Sequence, residues 1–183
     1  MFPEASDPTT ALRPRLPSPL AAVADDRFDR FGVRLLLKRD DLIHPELPGN
    51  KWRKLAPNLR AAAGRPLLTF GGAYSNHLRA TAAAGRLIGT PTVGVVRGDE
   101  LAGRPLNPSL ARCAEDGMRL LFVDRATYRA KDDPAVLARI TGTATGLIPG
   151  GGPVHVVPEG GSNALAARGC AALGEELRAG LAS

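Results

Sequence analysis

The sequence contains few cysteines, few aromatic residues and no long hydrophobic run, and each shortage excludes a class of protein. Its two cysteines, Cys113 and Cys170, are too few and too far apart for a disulfide framework or a CxxC metal site. No stretch approaches the roughly 18 apolar residues that a membrane-spanning helix needs. The first twenty residues lack the apolar segment of a signal peptide, so we expect a cytoplasmic protein with no membrane partner.

The charge of the chain also limits the possible partners. The 183 residues carry a net charge of +6, but the basic residues are scattered and aromatic residues make up only 4%. Neither a basic helix surface nor a stacking platform is evident, so no nucleic-acid partner is expected. A small anionic ligand is compatible with this charge.

Strands and helices are predicted to alternate along most of the chain. Short apolar segments predict strands at 33–38, 66–70, 90–98, 118–123 and 154–157. Helical periodicity and end signals predict helices at 51–63, 77–89, 105–116, 124–140 (interrupted near Pro134) and 163–181. This alternation is typical of a parallel sheet with helices on both faces. Residues 1–32 are expected to wrap a surface, and the lack of a strand after the last helix suggests an incomplete chain.

A lysine stands at the start of the first long helix, after the Pro-Gly-Asn turn of LPGNKWRKL. Helical spacing places Lys51 on the same face as the apolar Leu55 and predicts that Arg53 and Arg60 point the opposite way. Two interpretations stay open at this point. The lysine stem lies on apolar surface while its ammonium reaches water, or the lysine is desolvated in a cleft. Desolvation would lower its pKa and make it a nucleophile suited to a Schiff base.

Two glycine turns each lead from a predicted strand into a helix that begins with Ser-Asn. They are FGGAYSNHLRA, with Ser75 and Asn76, and VPEGGSNALAA, with Ser162 and Asn163. Free N–H groups and the helix dipole suit such a start to a carboxylate, although each polar residue could equally cap its helix. No histidine has metal-ligand spacing, so no metal is expected, and His77 is expected to line a cleft.

Taken in order, the segments LLLKRDDL, PGNK, GGAYSNH and VPEGGSN resemble a known enzyme family over residues 33–169. This is the pyridoxal-phosphate-dependent family of 1-aminocyclopropane-1-carboxylate deaminases and D-cysteine desulfhydrases. The resemblance implies a fold like that of tryptophan synthase β (fold type II), an α/β fold with parallel sheets, helices on both faces and the cofactor between two domains. Residues 1–52 would be the N-terminal part of the larger, cofactor-binding domain. Residues 53–160 would form the small domain and 161–183 the start of the return into the larger domain, whose C-terminal part is missing.

The same resemblance implies roles for individual residues. Lys51 matches the lysine that holds pyridoxal 5'-phosphate as an internal aldimine, with Asn50 beside the cofactor. Asn76 matches the residue that hydrogen-bonds the cofactor's ring hydroxyl. Ser75, Asn76 and His77 match the loop that binds the substrate carboxylate, and Ser75 and the freed amine of Lys51 are the expected catalytic groups.

The activity implied is a lyase or deaminase reaction on a small amino acid, giving a 2-oxo acid and ammonia, in a homodimer. Cyclopropane-opening members tend to have glutamine where this chain has His77, which places the sequence nearer to the D-cysteine desulfhydrases. The loop that cradles the cofactor phosphate is expected in the missing part of the family's chain. A catalytically silent relative and a module that only binds amino acids are the alternatives.

Overall fold

A computed structural model describes residues 7–182 of the chain. Residues 1–6 and Ser183, at the two ends of the expected segments 1–52 and 161–183, lie outside the described range. The strands are β1 (Leu20–Val23), β2 (Leu35–Lys38), β3 (Leu67–Gly71), β4 (Thr92–Arg97), β5 (Arg119–Val123) and β6 (His155–Val157). The helices are α1 (Asp26–Asp29), α2 (Asn50–Ala62), α3 (Asn76–Ile88), α4 (Pro108–Glu115), α5 (Arg125–Arg129), α6 (Pro134–Gly146) and α7 (Ala164–Ala182). Between residues 7 and 182, no helix is both long and apolar enough to cross a bilayer.

The strands form two separate sheets. Strands β3 to β6 build a parallel sheet in the order β5-β4-β3-β6, with Leu67 of β3 opposite Thr92 on one side and His155 on the other. This confirms the parallel sheet that the alternating pattern predicts. Strands β1 and β2 pair antiparallel, with Leu20 opposite Lys38. Strand β1 lies in the segment expected to wrap a surface. Its four residues carry too short a pattern to be recognised without the pairing partner.

Helices cover both faces of the parallel sheet. Successive side chains of a strand point to opposite faces, which gives each face its own core. On one face Leu67 packs against α2 and α3, and Val96 packs against α3 and α4. On the other face Phe70 packs against Tyr128 of α5 and Ile140 of α6. Because the four strands are parallel, their carboxyl ends all lie at the same edge of the sheet.

Helix α2 contains a buried cation that the sequence pattern placed on the outside. Arg53 is 3% exposed, so the prediction that it points away was wrong. Its Nε donates to Asp40 Oδ2 at 2.7 Å, its Nη2 donates to Asp40 Oδ1 at 2.7 Å, and its Nη1 and Nη2 donate to the carboxylate of Glu176 at 3.0 and 2.9 Å. Asp40 also accepts a hydrogen bond from Ser18 Oγ at 2.6 Å. The guanidinium is buried because carboxylates from distant segments neutralise it.

Helix α7 packs closely along α2. A Cβ atom on Gly169 would lie 2.0 Å from the carbonyl oxygen of Arg53 and 2.7 Å from Cγ of Pro57. The two helix backbones therefore approach each other at a point where only glycine fits. This contact brings Glu176 over α2 and positions it to reach the buried guanidinium.

Candidate functional site

The strand order of the parallel sheet reverses at the carboxyl ends of β3 and β6. Strand β3 leads through α3 and β4 towards one side of the sheet, whereas β6 lies on the other side of β3. In open α/β sheets, ligands bind in the crevice outside the carboxyl ends at such a reversal. The two turns that contain glycine pairs, one before α3 and one before α7, lie on either side of this crevice.

Lys51 lies in a cleft of about 660 Å³, which we call the lysine cleft. The segment before α2, the start of α3 and one side of α4 form its walls, and Asn50, Asn76, Arg79 and Asp116 are among the residues that line it. The side chain of Lys51 is half-buried, and its Nζ donates to Asn50 Oδ1 at 2.8 Å. The structure thus brings Lys51, Asn50 and Asn76 into one cavity.

The surroundings of Lys51 make its ammonium group easier to deprotonate. Burial, and secondarily the positive charge of Lys54, lowers the pKa of Lys51 below its usual range. Lys54 follows one helical turn later, and its Nζ donates to the carbonyl oxygen of Gly160 at 3.3 Å. A lower pKa leaves a larger fraction of the amine unprotonated at neutral pH, and only that form attacks a carbonyl carbon.

The start of α3 offers two unused hydrogen-bond donors. Ser75 has an extended backbone, and its Oγ accepts from the N–H of Leu78 at 3.2 Å, which makes it the N-cap. The N–H of Arg79 donates to the carbonyl oxygen of Ser75. The N–H groups of Asn76 and His77 have no partner within residues 7–182. Two free donors at the positive end of a helix are suited to a carboxylate.

The side chain of Ser75 performs the capping role that the sequence left as an alternative. It faces a neighbouring cleft of about 580 Å³, lined also by Tyr74, Arg97 and Glu159, and is absent from the lining of the lysine cleft. The second Ser-Asn turn is likewise a cap, since the N–H of Ala166 donates to Asn163 Oδ1 at 2.9 Å.

His77 is buried at the carboxyl ends of β3 and β6, with 3% of its surface exposed. Its Nε2 lies 2.9 Å from Oγ1 of Thr69, and that hydroxyl donates to the carbonyl oxygen of Val157 at 2.9 Å. Burial, together with the charges of Lys51 and Lys54, lowers the pKa of His77 to about 4. The imidazole is therefore uncharged at neutral pH.

Three neighbours of Lys51 and His77 were not predicted from the sequence. Thr69 interrupts the apolar segment PLLTF, and a polar residue inside a buried strand is the signal that would have indicated an internal hydrogen bond. Lys54 follows Lys51 at a spacing of three, which places both on one side of the helix. A Cβ on Gly161 would lie 3.3 Å from both Cε1 of His77 and Cβ of Lys54. Both residues are far from Gly161 in sequence, so no local pattern predicts this close approach.

The sequence is similar to curated enzymes over most of its length. It is 36% identical over 149 residues to a D-cysteine desulfhydrase of Yersinia pestis, a match that covers 77% of this chain and 42% of the relative. A D-cysteine desulfhydrase of Klebsiella pneumoniae is 34% identical over 149 residues, with 77% and 43% covered. The chain belongs to the 1-aminocyclopropane-1-carboxylate deaminase and D-cysteine desulfhydrase family of fold type II enzymes, whose members use pyridoxal phosphate. It spans less than half the length of these family members. No model of a protein family matches it.

Solved structures support the fold assignment. An ACC deaminase homologue has a TM-score of 0.68 at 24% identity, and the match covers 97% of this chain and 54% of that one. A threonine deaminase from T.th. has a TM-score of 0.59 at 24% identity, with 97% and 52% covered. The observed α/β architecture is therefore the tryptophan synthase β-like fold of these enzymes, matched over about half of each.

Proposed function

We propose that the chain forms the lysine-bearing part of a pyridoxal-phosphate-dependent lyase or deaminase. Its substrate would be a small amino acid, as for a D-cysteine desulfhydrase or a 1-aminocyclopropane-1-carboxylate deaminase, and its products a 2-oxo acid and ammonia. The observation that carries this proposal is the placement of Lys51, a half-buried amine with a lowered pKa, in one cleft with Asn76. The similarity to D-cysteine desulfhydrases supports the same reaction class.

The residues present fit the aldehyde end of the cofactor. Lys51 would hold it covalently, and Asn50 and Asn76 lie in the same cleft with amide groups that would orient its ring. The free N–H groups of Asn76 and His77 would receive the substrate carboxylate, beside the capping Ser75. When bound, the cofactor supplies an electron sink for bond cleavage in the substrate. The Nζ of Lys51 would also carry a proton between the substrate and the cleft.

The remaining parts of the proposal concern the whole enzyme. We propose that residues 1–52 and 161–183 belong to the larger domain and residues 53–160 to the small one. The separation of the β1–β2 sheet from the four-stranded sheet supports this division. We also propose that the whole enzyme is a cytoplasmic homodimer.

Trapping the cofactor on the protein tests the proposal directly. The sequence has four lysines, Lys38, Lys51, Lys54 and Lys131, so peptide mapping after borohydride reduction can resolve each of them. With stoichiometric pyridoxal phosphate, we expect a visible absorbance band and a reduced adduct on Lys51. The variant Lys51→Ala should lose both signals.

Lys54→Arg is the matched control, because it keeps the neighbouring charge but removes a second reactive amine from the same helix. It should retain the band and the adduct on Lys51. An adduct spread over all four lysines, or no band even with excess cofactor, would favour the silent relative. Stabilisation of the chain by amino acids without cofactor would favour a binding module.

A further inference from the structure

The imidazole of His77 is a buried titratable group at the ends of β3 and β6, and the cofactor chemistry does not define its role. One ring nitrogen, Nε2, lies 2.9 Å from Thr69 Oγ1. The other, Nδ1, is buried and has no hydrogen-bond partner within residues 7–182. The location of the ring proton decides what this side chain can bind.

The hydrogen-bond chain through Thr69 decides where that proton lies. A threonine hydroxyl has a single hydrogen, and Oγ1 of Thr69 donates it to the carbonyl oxygen of Val157 at 2.9 Å. The hydroxyl must therefore accept from His77, which places the ring proton on Nε2. The opposite tautomer would bury an N–H without an acceptor, and buried donors without partners are rarer and costlier than under-used acceptors.

The charged groups around the ring favour the same state. Lys51 and Lys54 of α2 face it with positive charge, and Glu159 of the turn after β6 contributes the opposing negative charge. Two nearby cations disfavour a second proton on the imidazole and leave Nδ1 as a lone pair. A bare lone pair repels a carboxylate instead of binding it.

The ring is also enclosed by its neighbours. Gly161 approaches so closely that a Cβ on it would lie 3.3 Å from Cε1 of His77 and 3.3 Å from Cβ of Lys54. His77 is absent from the lining of the lysine cleft, whereas Asn76, its neighbour in sequence, lines it. A ligand in the cleft can thus meet the start of α3 without touching the imidazole.

We propose that His77 is a positioning residue whose uncharged imidazole, protonated on Nε2, fixes the start of α3 to β3 and β6. It offers an anion only its main-chain N–H. That the anion is a substrate carboxylate rests on the proposed function; the state of the ring does not. This revises the expected role of His77 in substrate binding, because its side chain is buried outside the lysine cleft.

The ring state can be read by nitrogen-15 NMR of the histidine side chains in the full 183-residue chain. His44 is an internal standard for the same tautomer, since its Nδ1 accepts from the N–H groups of Glu46 and Leu47 at 3.1 and 3.2 Å. We expect His77 to show an unprotonated Nδ1 and a protonated Nε2, unchanged from pH 8 down to about 5. A proton on Nδ1, or titration near the ordinary histidine pKa of about 6.5, would overturn the proposal.

Two substitutions at this position separate positioning from mere filling of space. His77→Gln keeps an N–H donor for Thr69, whereas His77→Leu has none. We expect hydrogen exchange at Leu78 and Arg79, which close the first turn of α3, to quicken about fivefold in the leucine variant and less than about twofold in the glutamine variant. Equal exchange in both variants would refute the role, and if the leucine variant fails to fold, the ring state of the unmodified chain still decides. No arm of the test needs the cofactor, so its outcome is independent of the Schiff-base experiment.

Discussion

Removal of one carboxylate from the buried Arg53 cluster should destabilise the chain in a pH-dependent way. Glu176→Gln keeps the shape of the side chain and removes its charge. The side chain of Glu176 is 13% exposed and accepts from both terminal nitrogens of Arg53. Its Oε2 also lies 2.6 Å from Nζ of Lys38. The substitution leaves two cations with one fewer acceptor in a largely buried place.

The size of the effect follows from the pKa of the carboxyl group. Hydrogen bonds from Arg53, supported by the charge of Lys38, lower the pKa of Glu176 from 4.5 to about 2. A difference of this size corresponds to about 3 kcal/mol of stabilisation at neutral pH. Asp40 keeps its hydrogen bonds to the guanidinium in the variant, so we expect a loss of about 2 kcal/mol.

The sign of the pH dependence is fixed by the direction of that change. A carboxylate with a lowered pKa in the folded state stabilises the protein fully above its unfolded pKa of 4.5, and the contribution disappears as the pH falls towards 2. The difference between the unmodified chain and Glu176→Gln should therefore be largest near pH 7. Less than half of it should remain at about pH 3.

Urea unfolding followed by circular dichroism measures this difference. With a denaturant dependence of about 2 kcal/mol per molar urea, the loss moves the midpoint down by about 1 M at about pH 7. Glu175→Gln is the matched control, since its side chain is the exposed neighbour on the same helix. Equal midpoints for the two variants, or a difference that stays constant down to about pH 3, would refute the assignment of the buried cluster.

Two further predictions concern the helices that carry the site. Lys54→Gln removes a positive charge beside Lys51, so the pKa of Lys51 should rise and capture of pyridoxal phosphate, measured by stopped flow, should slow about twofold at fixed pH. Lys54→Arg keeps the charge and should leave this rate unchanged. A faster rate in the glutamine variant would contradict the electrostatic argument. Gly169→Ala forces a methyl group against the backbone of α2 and should cost about 2 kcal/mol in urea unfolding. Gly174→Ala, where no atom beyond its own helix lies within 4 Å, should instead stabilise by up to about 1 kcal/mol, and similar effects at both positions would disprove the close helix contact.

Local pattern in the sequence predicts the helices and strands of the parallel sheet well. The predicted helices at 51–63 and 77–89 correspond to α2 and α3 within one residue, because a glycine or a cap marks each end. Lys51 and Asn76, which the ordered motifs assign to one site, line the same cleft. Family assignment depends on that order rather than on any single motif.

Long-range contacts account for what the sequence pattern did not predict. Helical spacing assigned Arg53 to the surface because its acceptors, Asp40 and Glu176, are 13 residues before it and 123 residues after it. Strand β1 needed its partner β2 to be recognised, and the enclosure of His77 depends on Gly161, which is 84 positions away in the chain. None of these contacts has a periodicity that a window of neighbouring residues can reveal.

The acceptors of Arg53 also determine how the polypeptide can be divided. A fragment that ends before α7 would keep the guanidinium of Arg53 but lose its acceptor Glu176. The side of α2 that packs against α7 would then be exposed to solvent. Lys51, which the proposed function makes the cofactor anchor, stands two residues from that exposed cation. Removing α7 to isolate the parallel sheet would therefore disturb the surroundings of the Lys51 amine. The final helix belongs in any minimal version of this protein.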